Sequence, residues 1–206
     1  CLIGLYKFTE YKTKDKDKIK LIKQITLIAN KNFENEIKYA SIVADAVNKT
    51  RDLVNTPPNI ATPGYVAEYA KELSKRSSLK YTVFDDKQIE KLGMECFLAV
   101  AKGSALKPRL VVLEYHGGGK EKPIAVVGKG VTFDSGGLNL KPYPYILNMK
   151  DDKSGAVAAI HIIEACAKLK LQVNLIMITP LCENMPSSTS FRPDDVLKAY
   201  NGITVE

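Results

Sequence analysis

The chain has 206 residues, of which 45% are hydrophobic and 26% charged, and 30 Lys and Arg against 23 Asp and Glu give a formal net charge of +7. This is the composition of an ordinary globular domain, and no apolar run approaches the ~20 residues that span a bilayer. The four cysteines are scattered without a CxxC pair, which favours free thiols in a cytoplasmic protein over disulfides or zinc binding. Because the chain begins with Cys1 and not Met, we expect the true N-terminus to be missing.

The first 30 residues hold much of the excess positive charge. We expect residues 1–30 to be the tail of an N-terminal domain and a linker, with a strand at 19–28. Like-charge blocks are usually solvated, which favours a connection over a nucleic-acid-binding patch and leaves nucleic acid as the less favoured partner. The crowded lysines are Lys12, Lys14, Lys16, Lys18, Lys20 and Lys23.

From Asn32 the apolar residues recur at the spacing of one helical face. We expect this helix to run to about Val54, because the double proline Pro57-Pro58 forbids its continuation. The residues on the apolar face are Phe33, Ile37, Ala40, Ala44 and Val47.

Two shorter helices have clear start signals. Thr62 is a cap residue and Pro63 occupies the first helical position of the second helix. Asp85 and Gln88 form a capping box that opens a third helix, and Gly93 is placed to end it.

The remainder alternates between strand and helix patterns. His116 and the three glycines after it read as a hairpin between two strands. Strands alternating with helices predict an α/β fold with a mixed, largely parallel sheet flanked by helices. The predicted strands are 80–84, 97–101, 109–115, 123–128 and 173–179, and the predicted helices are 154–169 and 194–200.

The stretch that could perform chemistry leaves the C-terminal end of an apolar strand, which is where ligands bind in open α/β sheets. It reads VGKGVTFDSGGLNLKP over 127–142 and MKDDKSG over 149–155. It brings two carboxylates, Asp134 and Asp152, together with two amines, Lys129 and Lys141. Such groups make either ion pairs or a metal site, and the residue types alone leave both open. A lysine bound to a divalent ion would be held neutral by its charge.

Three other motifs are excluded by what surrounds them. Asp134-Ser135 lacks the glycine that precedes the nucleophile segment of trypsin-like proteases, and His116 has no GxSxG partner of the esterase kind. Gly128-Lys129-Gly130 lacks the spacing of a phosphate loop. His161 lies inside a predicted helix, where a packed or solvated side chain is the favoured interpretation over a metal ligand.

The run 127–142 closely resembles the signature of the leucyl (cytosol) aminopeptidase family, VGKGxTFDSGGxxxKP. The resemblance extends upstream through RDLVNTPPN at 51–59 and FLAVAKGS at 97–104, and downstream through CENM at 182–185 and RPDD at 192–195. It implies that residues 31–206 are the N-terminal part of a metallo-aminopeptidase catalytic domain, in a chain truncated at both ends.

The resemblance also implies roles for single residues. Lys129 and Asp134 match metal ligands of the family, with Asp134 bridging two ions, and Asp152 matches a ligand of the second ion. Lys141 matches a catalytic lysine that stabilises the oxyanion. The implied cofactors are two divalent ions (Zn or Mn, or alternatively Mg), which activate a water molecule to release N-terminal residues, Leu-type preferred, from peptides with a free N-terminus.

Further implications concern partners and departures from the family pattern. Members form homo-hexamers in the cytoplasm, without a membrane partner. Lys153 and Ser154 stand where the family usually has Met and Gly, and Lys153 could compete for the carboxylate of Asp152. The chain ends at Glu206, before the family's NTDAEGR segment with the remaining ligands, so we expect these 206 residues alone to be inactive. The alternative is a non-catalytic or truncated homologue that acts by binding, DNA included.

Overall fold

The structure is a computed structural model that describes residues 1–14, 19, 22 and 24–206. From residue 34 onward the chain forms helices that alternate with strands. In chain order the elements are α1 Glu34–Asn55, α2 Pro63–Ser77, β1 Lys80–Phe84, α3 Asp86–Lys91, α4 Glu95–Ala101, β2 Arg109–His116, β3 Ile124–Val127, β4 Gly130–Asp134, a 3-10 helix Met149–Lys153, α5 Ser154–Lys168, β5 Asn174–Asn184, β6 Leu197–Lys198 and β7 Thr204–Val205.

The main sheet is organised around β5, its longest strand at 11 residues. β1 pairs antiparallel with β2, and β2 pairs antiparallel with β5. Along the other edge of β5, β3 and then β4 pair parallel with it, one after the other. The predicted fold class, a mixed, largely parallel α/β sheet flanked by helices, is confirmed as a mixed sheet with flanking helices, in which two of the four strand pairings are parallel and two antiparallel.

Helices cover both faces of this sheet. Successive side chains of a strand point to opposite faces, so β5 has apolar side chains that pack against helices on each side. Leu181 of β5 belongs to a large apolar core together with Leu73 of α2 and Ile160 of α5. The next residue, Cys182, packs on the other face with Ala101 of α4. Burial of these apolar side chains is the main stabilising contribution to the fold.

The predicted helix starts and ends are confirmed where the signal is local. α1 runs to Asn55 and stops before the double proline. The Thr62 hydroxyl accepts the Tyr65 amide at 3.2 Å, with Pro63 as the first helical residue. Both bonds of the capping box between Asp85 and Gln88 are present.

Two predictions of element type are wrong. Residues 97–101 lie in the helix α4 and not in a strand. A run of five apolar residues is too short to show whether apolar positions repeat with the spacing of a helix or of a strand. In the structure, the side of this segment that packs against β5 is one face of a helix. Residues 194–200 contain β6, which pairs with β7, and not a helix. The Asn201-Gly202 pair, with Gly202 at φ 89°, makes the turn that the pattern missed.

Two predictions about connections are also wrong. β2 and β3 are not hairpin neighbours, because β5 lies between them, so the glycines after His116 join strands that do not pair. The predicted strand at 19–28 is not formed over 24–28, where Ile28 is 98% exposed and has no strand beside it in the described part of the chain. Of the crowded lysines only Lys12 and Lys14 lie within the described residues, and both are exposed.

None of the helices in the described ranges combines the length and apolar character that crossing a membrane requires. All four cysteines are free thiols, as predicted.

Candidate functional site

The break between β3 and β4 brings Lys129 to the start of α5. A Cβ on Gly128 would lie 2.5 Å from the Gly155 carbonyl oxygen, so only glycine allows this approach. The Ala156 amide then donates to the Lys129 carbonyl at 2.8 Å. The backbone around Lys129 is therefore fixed, while its side chain stays 64% exposed.

Asp134 ends β4, and each of its carboxylate oxygens accepts hydrogen bonds. Lys141 Nζ lies 2.6 Å from Oδ2, while the Gly136 amide and Asn184 Nδ2 donate to Oδ1 at 2.9 and 2.8 Å. Partial burial acts to raise the pKa of Asp134, but the bonds from Lys141, Gly136 and Asn184 together lower this pKa below its ordinary value. The carboxylate is therefore held ionised.

The turn from Ser135 to Lys141 aims the Lys141 amine at Asp134. Gly136 has φ 91°, and a Cβ there would lie 2.3 Å from the Asn139 carbonyl oxygen. The Lys141 amide donates to the Ser135 carbonyl at 2.9 Å and closes the turn. The Asn184 carbonyl accepts both the amide and the hydroxyl of Ser135, which ties the turn to the end of β5.

Asp152 lies on the 3-10 helix, which packs against β4. Its Oδ2 is 3.1 Å from Lys129 Nζ. This oxygen is buried, yet it finds no aligned hydrogen-bond donor among the described residues. A buried carboxylate oxygen without a donor is costly unless a cation neutralises it.

Lys129, Asp134 and Asp152 all lie near Cys182 of β5, close enough for their charges to act on its thiol. Burial raises the pKa of the Cys182 thiol to about 12; the charge of Lys129 acts to lower this pKa, and the charges of Asp134 and Asp152 act to raise it. Both carboxylates thus influence one buried thiol on β5. The structure brings together all four predicted site residues, as the pairs Lys129–Asp152 and Lys141–Asp134.

The donor set fits a divalent metal in its chemistry. Carboxylates are preferred ligands of hard cations, and the Asp152 oxygen, whose counter-charge is the exposed Lys129 amine, has no aligned donor. Within the described ranges no three His, Cys, Asp or Glu side chains form a metal-binding group. The residues that could hold a metal are therefore Asp134, Asp152 and, once deprotonated, Lys129.

Lys153 does not compete for Asp152, so that expectation is wrong. Its side chain is fully buried and turns away from the site, and Nζ donates to the carbonyls of Val54, Thr56 and Lys150 at 3.0, 3.0 and 2.5 Å. Burial, together with the charge of Lys150, lowers the pKa of Lys153 to about 8. The carbonyls at the end of α1 are its partners, and Lys129 is the partner of Asp152.

Sequence reasoning assigned no role to Asn184 or Met149, which both contact the site. Asn184 lies in the CENM segment, but its bond to Asp134 depends on the pairing of β4 with β5. Met149 Sδ is 3.1 Å from Lys141 Nζ. No motif signals either contact.

His161 is packed within the helical layer, as predicted. Its Nδ1 bonds the Val157 carbonyl at 2.9 Å, and its Nε2 bonds the Tyr69 hydroxyl at 2.8 Å. Burial lowers the pKa of His161 to about 4, although the charge of Glu164 opposes this. The ring is neutral and belongs to the interior.

Comparison with known proteins gives consistent matches. Residues 48–206 match the sequence model described as "Cytosol aminopeptidase family, catalytic domain". A protein of Geobacter sp. (strain M21) named "Probable cytosol aminopeptidase" is 44% identical over 211 residues, covering 100% of this chain and 43% of the relative. One of the same name from Aquifex aeolicus (strain VF5) is 45% identical over 207 residues, covering 100% of this chain and 42% of the relative.

A solved structure of the bottromycin maturation enzyme BotP in complex with Mn superposes with a TM-score of 0.86. Its sequence is 33% identical, and the match covers 98% of this chain and 42% of that one. The chain thus spans about two-fifths of the length of the relatives it matches.

Proposed function

The chain belongs to the cytosol aminopeptidase family, and on that premise we propose that the protein is a metal-dependent aminopeptidase that releases N-terminal residues, Leu-type preferred, from peptides. The observation that carries the proposal is the convergence of Lys129, Asp134, Lys141 and Asp152 at one end of the sheet. Two carboxylates and two amines of this kind fit a metal site with a neighbouring cationic donor.

Lys129, Asp134 and Asp152 would hold two divalent ions, Zn or Mn, or alternatively Mg. When bound, such ions supply an activated water and polarise the scissile carbonyl. The presence of Mn in the BotP complex supports the choice of a divalent metal. Lys129 must lose its proton before its nitrogen can act as a ligand, and its exposed side chain allows that proton to reach water.

The remaining residues position these groups. Gly136 and Asn184 hold Oδ1 of Asp134 from two directions, so the carboxylate cannot rotate freely. Lys141 is the catalytic residue, because its amine is an N–H donor held beside the carboxylate on a closed turn. A donor placed this way stabilises the negative charge that develops on the carbonyl oxygen of a peptide under attack.

The other expectations for the whole protein are part of the proposal. The substrates are peptides with a free N-terminus, the assembly is a homo-hexamer, and the location is the cytoplasm. Residues 1–30 are the tail of an N-terminal domain and a linker, and residues 31–206 are the N-terminal part of the catalytic domain. The family match from residue 48 onward supports the second range. Inactivity of these 206 residues alone stays a prediction.

Adjacent carboxylates on the 3-10 helix allow a matched test. Asp151 is exposed, whereas Asp152 is paired with Lys129 and half-buried. In the full-length protein, Asp152→Asn should remove metal-dependent hydrolysis of a leucine anilide and weaken metal binding in calorimetry, whereas Asp151→Asn should do neither. Equal behaviour of the two variants, or hydrolysis that persists in excess chelator, would count against the proposal.

A further inference from the structure

The C-terminal end of α1 has carbonyl groups that the helix itself cannot satisfy. An α-helical carbonyl accepts the N–H four residues later, and for Val54 that residue is Pro58, which has no N–H. For Thr56 it is Ile60, whose amide donates to the Pro57 carbonyl instead. The last turn of α1 has no basic residue that could bond these carbonyls. Donors for these carbonyls have to come from another part of the chain or from water.

Lys153 supplies them. Its Nζ bonds the Val54 and Thr56 carbonyls, 99 and 97 residues away in sequence, and the Lys150 carbonyl within its own 3-10 helix. Three acceptors surround one nitrogen, and only the charged ammonium form has three N–H groups to donate. The negative end of the α1 dipole also favours a cation at this place.

A second lysine of the 3-10 helix reaches the same helix end. Lys150 Nζ donates to the Asn55 carbonyl at 3.3 Å. Three successive carbonyls of α1, at 54, 55 and 56, are thus bonded by lysines on either side of Asp152. The lysine side chains on both sides of Asp152 thus hold the 3-10 helix against the end of α1, while the Asp152 carboxylate faces Lys129.

We propose that Lys153 is a positioning residue of the metal site, whose ammonium group holds the 3-10 helix against the C-terminal end of α1 and so fixes the carboxylate of Asp152. This inference rests on the proposed function, because it takes Asp152 as a metal ligand. Groups that orient a ligand in this way typically change metal affinity by about 10–100-fold when they are removed.

The primary test is Lys153→Ala in the full-length protein, titrated with Mn²⁺ by calorimetry. Tetramethylammonium chloride is the only added salt, because this cation has no N–H and cannot replace the amine. We expect Mn²⁺ affinity to fall by about 10–100-fold. Leu73→Ala is the control, since Leu73 is a fully buried core residue of α2. It should lower the melting temperature without a comparable loss of affinity. Unchanged affinity in Lys153→Ala, or an equal loss in Leu73→Ala, would overturn the inference.

Chemical rescue separates the amine from the bulk of the side chain. Propylammonium replaces the deleted propyl stem and ammonium of Lys153, so it should restore both the melting temperature and the Mn²⁺ affinity of Lys153→Ala. Lys153→Gln is the second variant, to be used if Lys153→Ala folds poorly. Its side chain is longer than that of alanine but ends in a neutral amide, so its loss of Mn²⁺ affinity should be intermediate. Recovery that is equal with tetramethylammonium and propylammonium would show that donated hydrogen bonds are not the cause.

Hydrogen exchange distinguishes failure of this inference from failure of the proposed function. Lys153→Ala should speed exchange of the amides at 149–154, and propylammonium should slow it again, with no metal added. If Asp152→Asn leaves Mn²⁺ binding unchanged, the metal assignment and the positioning role fail together, whatever the exchange result. If Asp152→Asn weakens binding but exchange at 149–154 is the same in wild type and Lys153→Ala, only the role of Lys153 is wrong.

Discussion

The protein contains two groups of buried polar side chains that differ in how completely they are bonded. Around His161, inside the helical layer, both ring nitrogens have partners and the ring is neutral. At the end of the sheet, a buried oxygen of Asp152 has no aligned donor among the described residues, and the amine beside it is exposed. The bonded imidazole stabilises one arrangement, whereas the Asp152 oxygen keeps an unused acceptor position for a ligand.

The largest effect that we expect is on turnover at the charged site. Lys141→Met keeps the stem of the side chain but removes its amine. We predict that kcat of the full-length protein falls by about 10²–10³-fold, the usual loss for one oxyanion donor. Metal occupancy should stay close to wild type, because the Lys141 ammonium would compete with a metal ion for the Asp134 carboxylate, so its removal does not weaken metal binding. Steady-state kinetics together with metal analysis of the purified variant measures both. Loss of metal along with activity would make Lys141 a ligand and not a catalytic donor.

The interior histidine should affect stability and not chemistry. Its pKa is about 4 in the folded chain, because burial disfavours the charged ring, and 6.5 in the unfolded chain. The unfolded state therefore binds more protons between these values, so stability is lost as pH falls from 6.5 toward 4. The shift corresponds to about 3 kcal/mol of unfolding free energy.

Denaturant unfolding of wild type and His161→Gln at several pH values measures this contribution. Acidic side chains that do not interact with His161 are common to both proteins and cancel in the difference, and Glu164, whose charge acts on His161, is the exception. The variant should show a weaker loss of stability between pH 6.5 and 4, with metal affinity unchanged at neutral pH. Parallel pH profiles would mean that His161 is not held neutral by burial.

A smaller effect is expected from Asn184, whose side chain bonds Asp134 and is not itself a ligand. Asn184→Ala removes one of two donors to Oδ1 and leaves the Gly136 amide in place. We predict a loss of metal affinity of about 10-fold, the lower end of the range for groups that orient a ligand. Thr189→Ala is a suitable control, because Thr189 is exposed and bonds the Lys102 carbonyl away from the site. Calorimetric affinities that agree between the two variants would remove Asn184 from the site.

The sequence predicts well those features that local chemistry determines. Proline and capping residues place the end of α1 and the starts of α2 and α3, because they act on neighbouring backbone groups. It fails at α4, where five apolar residues suit either a helix or a strand and tertiary packing decides. It also fails at β6, which pairs with β7 in the part of the chain that the structure describes.

The candidate site divides in the same way. Lys129, Asp134, Lys141 and Asp152 follow from a motif with fixed spacing, and the structure brings them together. The partners of Lys153 could not be predicted, since the carbonyls it bonds lie 97 and 99 residues away and reach it only when α1 packs beside the 3-10 helix. Because Asp152 is the neighbour of Lys153 in sequence, the sequence alone predicts that Lys153 bonds its carboxylate. Packing against α1 directs the Lys153 amine to the backbone carbonyls and away from Asp152.

The most direct test of the metal assignment is metal stoichiometry and turnover of Asp134→Ala in the full-length protein. Asp134 is one of the two carboxylates proposed to hold the metal, so its removal should reduce the bound metal and abolish hydrolysis of a leucine anilide. Calorimetry and the assay on the same preparation give both values. A near-normal rate with two metals still bound would contradict the account.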